Sequence, residues 1–112
     1  MSDCLFCKIA AKEIPAKFVL EDAQAVVFSD INPQAPTHVL VVPKKHIASL
    51  SDSSDGDAAL LGHLQRLAAQ VAQTLQLKWF RVVLNNGRGA GQTVDHLHYH
   101  LLGGRAMQWP PG

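Results

Sequence analysis

The sequence predicts an α+β fold, an antiparallel sheet of about five strands with one long and one short helix. Three observations predict it. Leu60, Leu61, Leu64, Leu67, Ala68, Val71 and Leu75 recur at spacings of three and four, the apolar stripe of a long amphipathic helix. Short runs rich in Val, Leu and Phe flank that stripe, bounded by turn residues, as strands are. Most connections between these runs are too short for a parallel crossover, so the strands pair antiparallel.

The elements follow in order. Cys4–Ala11 reads as a short helix that Asp3 can cap, with Leu5, Phe6 and Ile9 near one face, and Pro15 prevents anything longer. Lys17–Glu21 and Ala25–Phe28 read as strands joined by a turn at Asp22-Ala23-Gln24. Two prolines within Asn32–Pro36 forbid helix and make a rigid loop. His38–Val42 suits a buried strand, ended by Pro43. Ser51–Asp57 is a polar loop, and its Asp55 or Asp57 can cap the long helix. Trp79–Leu84 is a strand, Asn85–Gly91 a tight glycine-rich loop, and Val94–Leu102 an alternating final strand.

At 112 residues the chain is one domain by length, residues 1–112. A domain of this size buries roughly two thirds of the surface its unfolded chain exposes, so it needs no disulfide. Ten Lys and Arg face nine Asp and Glu, a net charge of +1. That balance gives no electrostatic basis for binding a nucleic-acid polymer or an anionic membrane, yet leaves room for one small anion in a local pocket. No apolar run approaches the ~20 residues of a membrane span, and Met1–Asp3 is too short for a secretory leader. A cytoplasmic location is expected. In a reducing compartment the C-x-x-C of Cys4 and Cys7 points to metal or redox chemistry. The plain alternative is two small buried apolar side chains.

The chemistry concentrates in His96-Leu97-His98-Tyr99-His100. Side chains alternate along a strand, so the three imidazoles share one face, roughly 7 Å apart, and Leu97 and Tyr99 take the other. Such a face can chelate a metal through His96, His98 and His100, or do nucleophilic and acid–base work on a substrate. Asp95 points the other way and makes a poor further ligand. The preceding loop, Asn85–Thr93, favours the substrate reading. Its glycines let main-chain N–H groups approach an anion, and Gln92 and Thr93 add neutral donors for phosphate oxygens.

Gly91-Gln92-Thr93-Val94-Asp95-His96-Leu97-His98-Tyr99-His100 resembles the signature of the histidine triad (HIT) family. Lys12–Lys17, Asp30–His38, Pro43–Ile47, Leu102–Arg105 and Trp109–Gly112 resemble its Hint branch, the histidine triad nucleotide-binding proteins. The resemblance implies a homodimer whose subunits join strands into one continuous sheet. It also implies hydrolysis of purine nucleoside phosphoramidates and acyl nucleotidylates, with no cofactor for the chemical step. His98 matches the nucleophile, and His100 and Thr93 match groups around the phosphate and leaving amine. His38 matches a fourth relay histidine with His96 as its partner. Asp30 matches the carboxylate on the ribose hydroxyls, Asn85 a contact to the sugar-phosphate, and Gly91 and Gln92 the phosphate loop. Phe6, Ile9, Phe28 and Ile31 match the lining of the base pocket.

Some bacterial members carry an N-terminal C-x-x-C with zinc. There the resemblance assigns Cys4, Cys7, His46 and His96 to a structural ion, which would remove His96 from the relay. Several residues also have plain readings. Asp30 can simply form a turn, Phe6, Ile9 and Phe28 can be core, and His63 is a half-buried or solvated helix residue. Trp109 can be a dimer contact, a lid or idle. Three other functions are weighed: a purine-monophosphate-binding regulatory module with negligible turnover, a dinucleoside polyphosphate hydrolase, and a metalloenzyme on the three strand histidines.

Overall fold

Residues 3–112 are described by the computed structural model of the protein. Helix α1 (Leu5–Ala10) is followed by strands β1 (Phe18–Glu21), β2 (Ala25–Ser29) and β3 (Thr37–Pro43). Helix α2 (Ala58–Thr74) comes next, then strands β4 (Phe80–Val83) and β5 (Tyr99–Gly103). The strands form one antiparallel sheet in the order β1-β2-β3-β5-β4, the fold class expected. β5 lies between β3 and β4, because α2 carries the chain across the sheet before β4 begins.

Alternation decides what each face carries. Ala25 and Val27 of β2, Val39 and Val41 of β3, and Leu97, Tyr99 and Leu101 pack under Leu64, Leu67, Ala68 and Val71 of α2. Their neighbours Val26, Phe28, Leu40 and Val42 face the other way and are covered by Phe6 and Ile9 of α1. Burial on both faces is why β2 and β3 read as unbroken apolar runs. Each buried leucine of α2 contributes about 1.5–3 kcal/mol, which holds the helix on the sheet.

Beyond shifts of one residue at several element ends, the structure differs from the sequence expectation in three places. Cys4, rather than Asp3, caps α1: its Sγ accepts the Cys7 N–H at 3.4 Å. The Ser51–Asp57 region contains short 3-10 turns, and Asp57 does not cap α2 with its side chain. Its carboxylate instead accepts the Ser54 N–H at 2.9 Å and meets Lys45 at 2.5 Å. The last strand begins at Tyr99 rather than Val94. β3 ends in Pro43, which has no N–H to extend the ladder, and the Pro43 carbonyl is taken by the His96 ring. Alternation nonetheless persists through residues 96–101, with Leu97, Tyr99 and Leu101 toward α2. Among the described residues no helix is long and apolar enough to cross a membrane.

Candidate active site and metal centre

The α1-side face of β3 and β5 gathers the histidines. β3 pairs with β5 so that Leu40 lies opposite His100 and His38 opposite Leu102. His38 and His100 therefore sit on one face as diagonal neighbours, with ring nitrogens 2.9 Å apart. His98 and His100 have centroids 4.9 Å apart, closer than the strand repeat because the rings lean together. Phe6 packs edge-on against His98 at 5.0 Å and against His96 at 6.0 Å.

Main-chain partners fix which nitrogen of each ring carries the proton. A carbonyl can only accept, so His98 Nδ1–H donates to the His96 carbonyl at 2.8 Å, and Nε2 keeps a lone pair. His96 Nε2–H donates to the Pro43 carbonyl at 2.8 Å, so its lone pair is on Nδ1. The Gln34 N–H donates to His38 Nδ1 at 3.0 Å, which places the His38 proton on Nε2 and directs it to His100 Nδ1. A neutral His100 then carries its own proton on Nε2. Burial pushes all four rings below the usual histidine value, His96 and His100 to about 4. The His96 carbonyl and Asp30 partly oppose the shift at His98. The rings are neutral at pH 7.

His98 and His100 open onto a cavity of about 410 Å³. Its apolar lining includes Leu5, Phe6, Ile9, Phe28 and Leu40, and its polar lining includes Asp30, Gln34, His38 and Thr93. Phe6, Ile9 and Phe28 are at once core and cavity wall. Ile31 lines the mouth and is fully exposed. Asp30 makes the turn its sequence suggests, accepting the Asn32 N–H at 2.8 Å, and its second oxygen faces His38 Nε2 at 3.4 Å.

Several expected residues stand elsewhere. Gln92 is buried and committed: its Oε1 accepts the Gly87 N–H, and its Nε2 donates to the Ala48 and Val94 carbonyls. Its side chain braces the loop and offers no donor to a phosphate. Gly91 lies against the Asn85 side chain and neither lines the cavity, whereas Thr93 does. The partner of His38 is His100, not His96, since His96 lies beyond the end of the ladder. Reading the sequence also missed Gln34, whose contribution is a main-chain N–H, and Leu40, which its i+2 spacing from His38 on a strand could have revealed. His63 pairs with Asp22 at 2.7 Å, tying α2 to the β1–β2 turn.

His96 Nδ1 points at a separate cluster. It lies 3.3 Å from Cys4 Sγ, 3.5 Å from Cys7 Sγ and 3.1 Å from His46 Nδ1, and Cys7 Sγ is 3.4 Å from His46 Nδ1. A tetrahedral zinc site has edges of roughly 3.4 Å between nitrogens and 3.6 Å between sulfur and nitrogen, so this donor set fits zinc. Asp30, His38 and His100 also lie close enough for a cation. There the Gln34 N–H occupies the His38 Nδ1 lone pair and keeps Nε2 protonated, which makes it a poor ligand. A metal on His96, His98 and His100 together does not fit, because the free nitrogen of His96 faces the cysteines. Asp95 is exposed, paired with Arg88 at 3.0 Å, and does not belong to either cluster.

Comparison with known proteins adds the following. Residues 11–107 match the HIT domain family. The chain is 53% identical over 111 residues to an uncharacterized HIT-like protein of Synechocystis sp., covering 98% of this chain and 97% of the relative. The fold superposes with a TM-score of 0.95 on a HIT family hydrolase from Legionella pneumophila, 53% identical, over 98% of this chain and all of that one. It superposes with a TM-score of 0.82 on a histidine triad nucleotide-binding protein from Candida albicans, 35% identical, over 98% of this chain and 85% of that one.

Proposed function

The chain belongs to the HIT domain family, and on that premise we propose that it is a hydrolase of the Hint branch acting on purine nucleoside phosphoramidates and acyl nucleotidylates. The observation that carries this reading is the His98 ring. Its Nδ1–H is spent on the His96 carbonyl, so a neutral Nε2 lone pair sits in the wall of a cavity lined by both apolar and polar side chains. A base would lie against Phe6, Ile9, Phe28 and Ile31, with the ribose hydroxyls on Asp30 and the phosphate over His98, beside Thr93 and His100.

His98 Nε2 attacks the α-phosphorus and the bond to the leaving nitrogen breaks, its electron pair staying on that nitrogen. The phosphate charge favours uptake of one proton from solvent at His100 Nδ1, with the His38 Nε2–H turned to Asp30 Oδ2. His100 passes its Nε2 proton to the leaving amine, and the pair returns to neutral. Water then attacks the nucleotidyl-imidazole, its proton goes to His100, and His98 leaves as neutral imidazole with release of the nucleoside monophosphate.

The cluster of Cys4, Cys7, His46 and His96 would hold a structural zinc. With four protein ligands it leaves no open position, so the ion would anchor the chain and take no part in the reaction. Thiolate ligands of this kind persist in a reducing compartment, which supports a cytoplasmic location. Residues 1–112 act as one domain, and two copies pair as a homodimer through the β4 edge.

The test is hydrolysis of an adenosine phosphoramidate by the wild type and by His98→Ala. The variant should bind adenosine monophosphate but lose turnover by at least about a thousandfold. Near-normal steady-state hydrolysis by the variant refutes the nucleophile assignment, and tight nucleotide binding by a wild type that does not turn over makes the protein a binding module.

A further inference from the structure

The loop from Ile31 to Pro36 gives Ile31, Asn32 and Gln34 to the lining of the cavity, yet little holds it. Ile31, Asn32, Pro33 and Gln34 are exposed. Two of its hydrogen bonds are local, Asn32 N–H to Asp30 and Gln34 Nε2 to the Asn32 carbonyl. A third, Gln34 N–H to His38 Nδ1, is the one that sets the His38 tautomer. Among the described residues, the loop is tied to a distant part of the chain by one further hydrogen bond, Arg105 Nε–H to the Gln34 carbonyl at 3.0 Å. Arg105 also donates to the Ala106 carbonyl, which steadies its guanidinium. The adjoining Gly104 has φ +92°, and a Cβ there would lie 2.9 Å from Pro36 Cβ. The chain after β5 is thus pressed against the same loop that Arg105 grips.

We propose that Arg105 is a positioning residue for the reaction, acting through Gln34 to hold the proton of His38 on Nε2 and so the proton of His100 on the nitrogen that faces the leaving group. Gln34 joins two bonds through one residue: its carbonyl is held by Arg105, and its N–H occupies His38 Nδ1. When the carbonyl is released, residue 34 swings on flanking Pro33 and Ala35, and the N–H leaves His38. An imidazole that loses this donor can put its proton on either nitrogen. His100 then receives no fixed donor at Nδ1 and spends part of its time with the proton on the wrong side. Arg105 touches no substrate in this scheme. It governs the proton transfer and leaves the apolar base site alone. The role in turnover rests on the nucleotidyl-hydrolase reading above, whereas the tautomer does not.

The experiment uses the full chain and the variants Arg105→Met and Arg105→Lys. Methionine keeps the bulk of the aliphatic stem without the N–H groups, and the position is exposed, so the fold should survive. Proton–nitrogen correlation spectra of histidine-labelled protein report which ring nitrogen of His38 is protonated. The wild type should show Nε2–H alone, Arg105→Met a mixture of both forms, and Arg105→Lys a partial return, since an ammonium can still donate to Gln34. With an adenosine phosphoramidate, kcat should fall roughly tenfold in Arg105→Met with KM within about twofold, and lysine should recover part of it. An unchanged His38 tautomer, an unchanged kcat, or a loss confined to KM overturns the proposal. Should the wild type hydrolyse nothing, the functional reading fails and the His38 spectrum alone decides the clasp.

Discussion

His38, His96 and His98 each bond to a main-chain group, and His100 is set by the ring of His38. That arrangement has a consequence for acid stability. The burial that lowers His100 to about 4, from an ordinary value of 6.5, disfavours its charged form in the folded chain. Between those two values the unfolded chain binds a proton at this ring and the folded chain does not. Its contribution is therefore complete above pH 6.5 and is lost as pH falls toward about 4, by at most about 1.4 kcal/mol per pH unit. Denaturant midpoints measured across this window should fall with pH in the wild type and fall less steeply in His100→Gln. Equal slopes would contradict the assignment. Three of the rings were legible in the sequence, because histidines at 96, 98 and 100, each two residues from the next, are a side-chain pattern. The partners of the four rings were not: the Gln34 N–H and the carbonyls of Pro43 and His96 are main-chain groups that every residue type carries. The same blindness misplaced Gln92, whose amide suits a phosphate and a loop equally well.

Helix α1 has two duties on its short length. Cys4 and Cys7 at its start belong to the metal-suited cluster, while Leu5, Phe6 and Ile9 wall the cavity. His96 links the same two places, its ring in the cluster and its carbonyl on His98. A helix of six residues has little stability of its own, so its position depends on such anchors. Protein purified without a histidine tag should carry stoichiometric zinc. Chelation should lower stability by about 3–4 kcal/mol if the ion is present at 100 to 1,000 times its Kd, and nucleotide binding should weaken with it. Less than about a tenth of an equivalent of metal in fresh protein would sink this assignment. The long helix and the strands around it were legible because apolar periodicity is set by which faces are buried. The start of β5 was not legible, since alternation continues through residues 96–98, outside the ladder that ends at the Val41–Tyr99 pair.

At the scale of the whole molecule, one edge of the sheet is unfinished. β4 is a terminal strand, and Phe80 and Val82 stand on its α2-side face, about 40% exposed because α2 covers β3 and β5 instead. An exposed apolar edge invites a second copy of the same strand. Light scattering should return twice the 12.1 kDa chain mass for the wild type, and Val82→Glu should shift the population to monomer. A wild type that stays monomeric at micromolar concentration contradicts the pairing. The sheet order itself was not legible, because insertion of β5 between β3 and β4 depends on contacts distant in sequence. All of these features serve one claim, that His98 Nε2 is a neutral nucleophile facing a bound phosphate. The most direct measurement is rapid quenching of the protein with a purine nucleoside phosphoramidate, followed by mass mapping of the chain. One nucleotidyl group should appear on His98 before the nucleoside monophosphate is released, and none in His98→Ala. Product formed without an adduct, or an adduct on another residue, would contradict it.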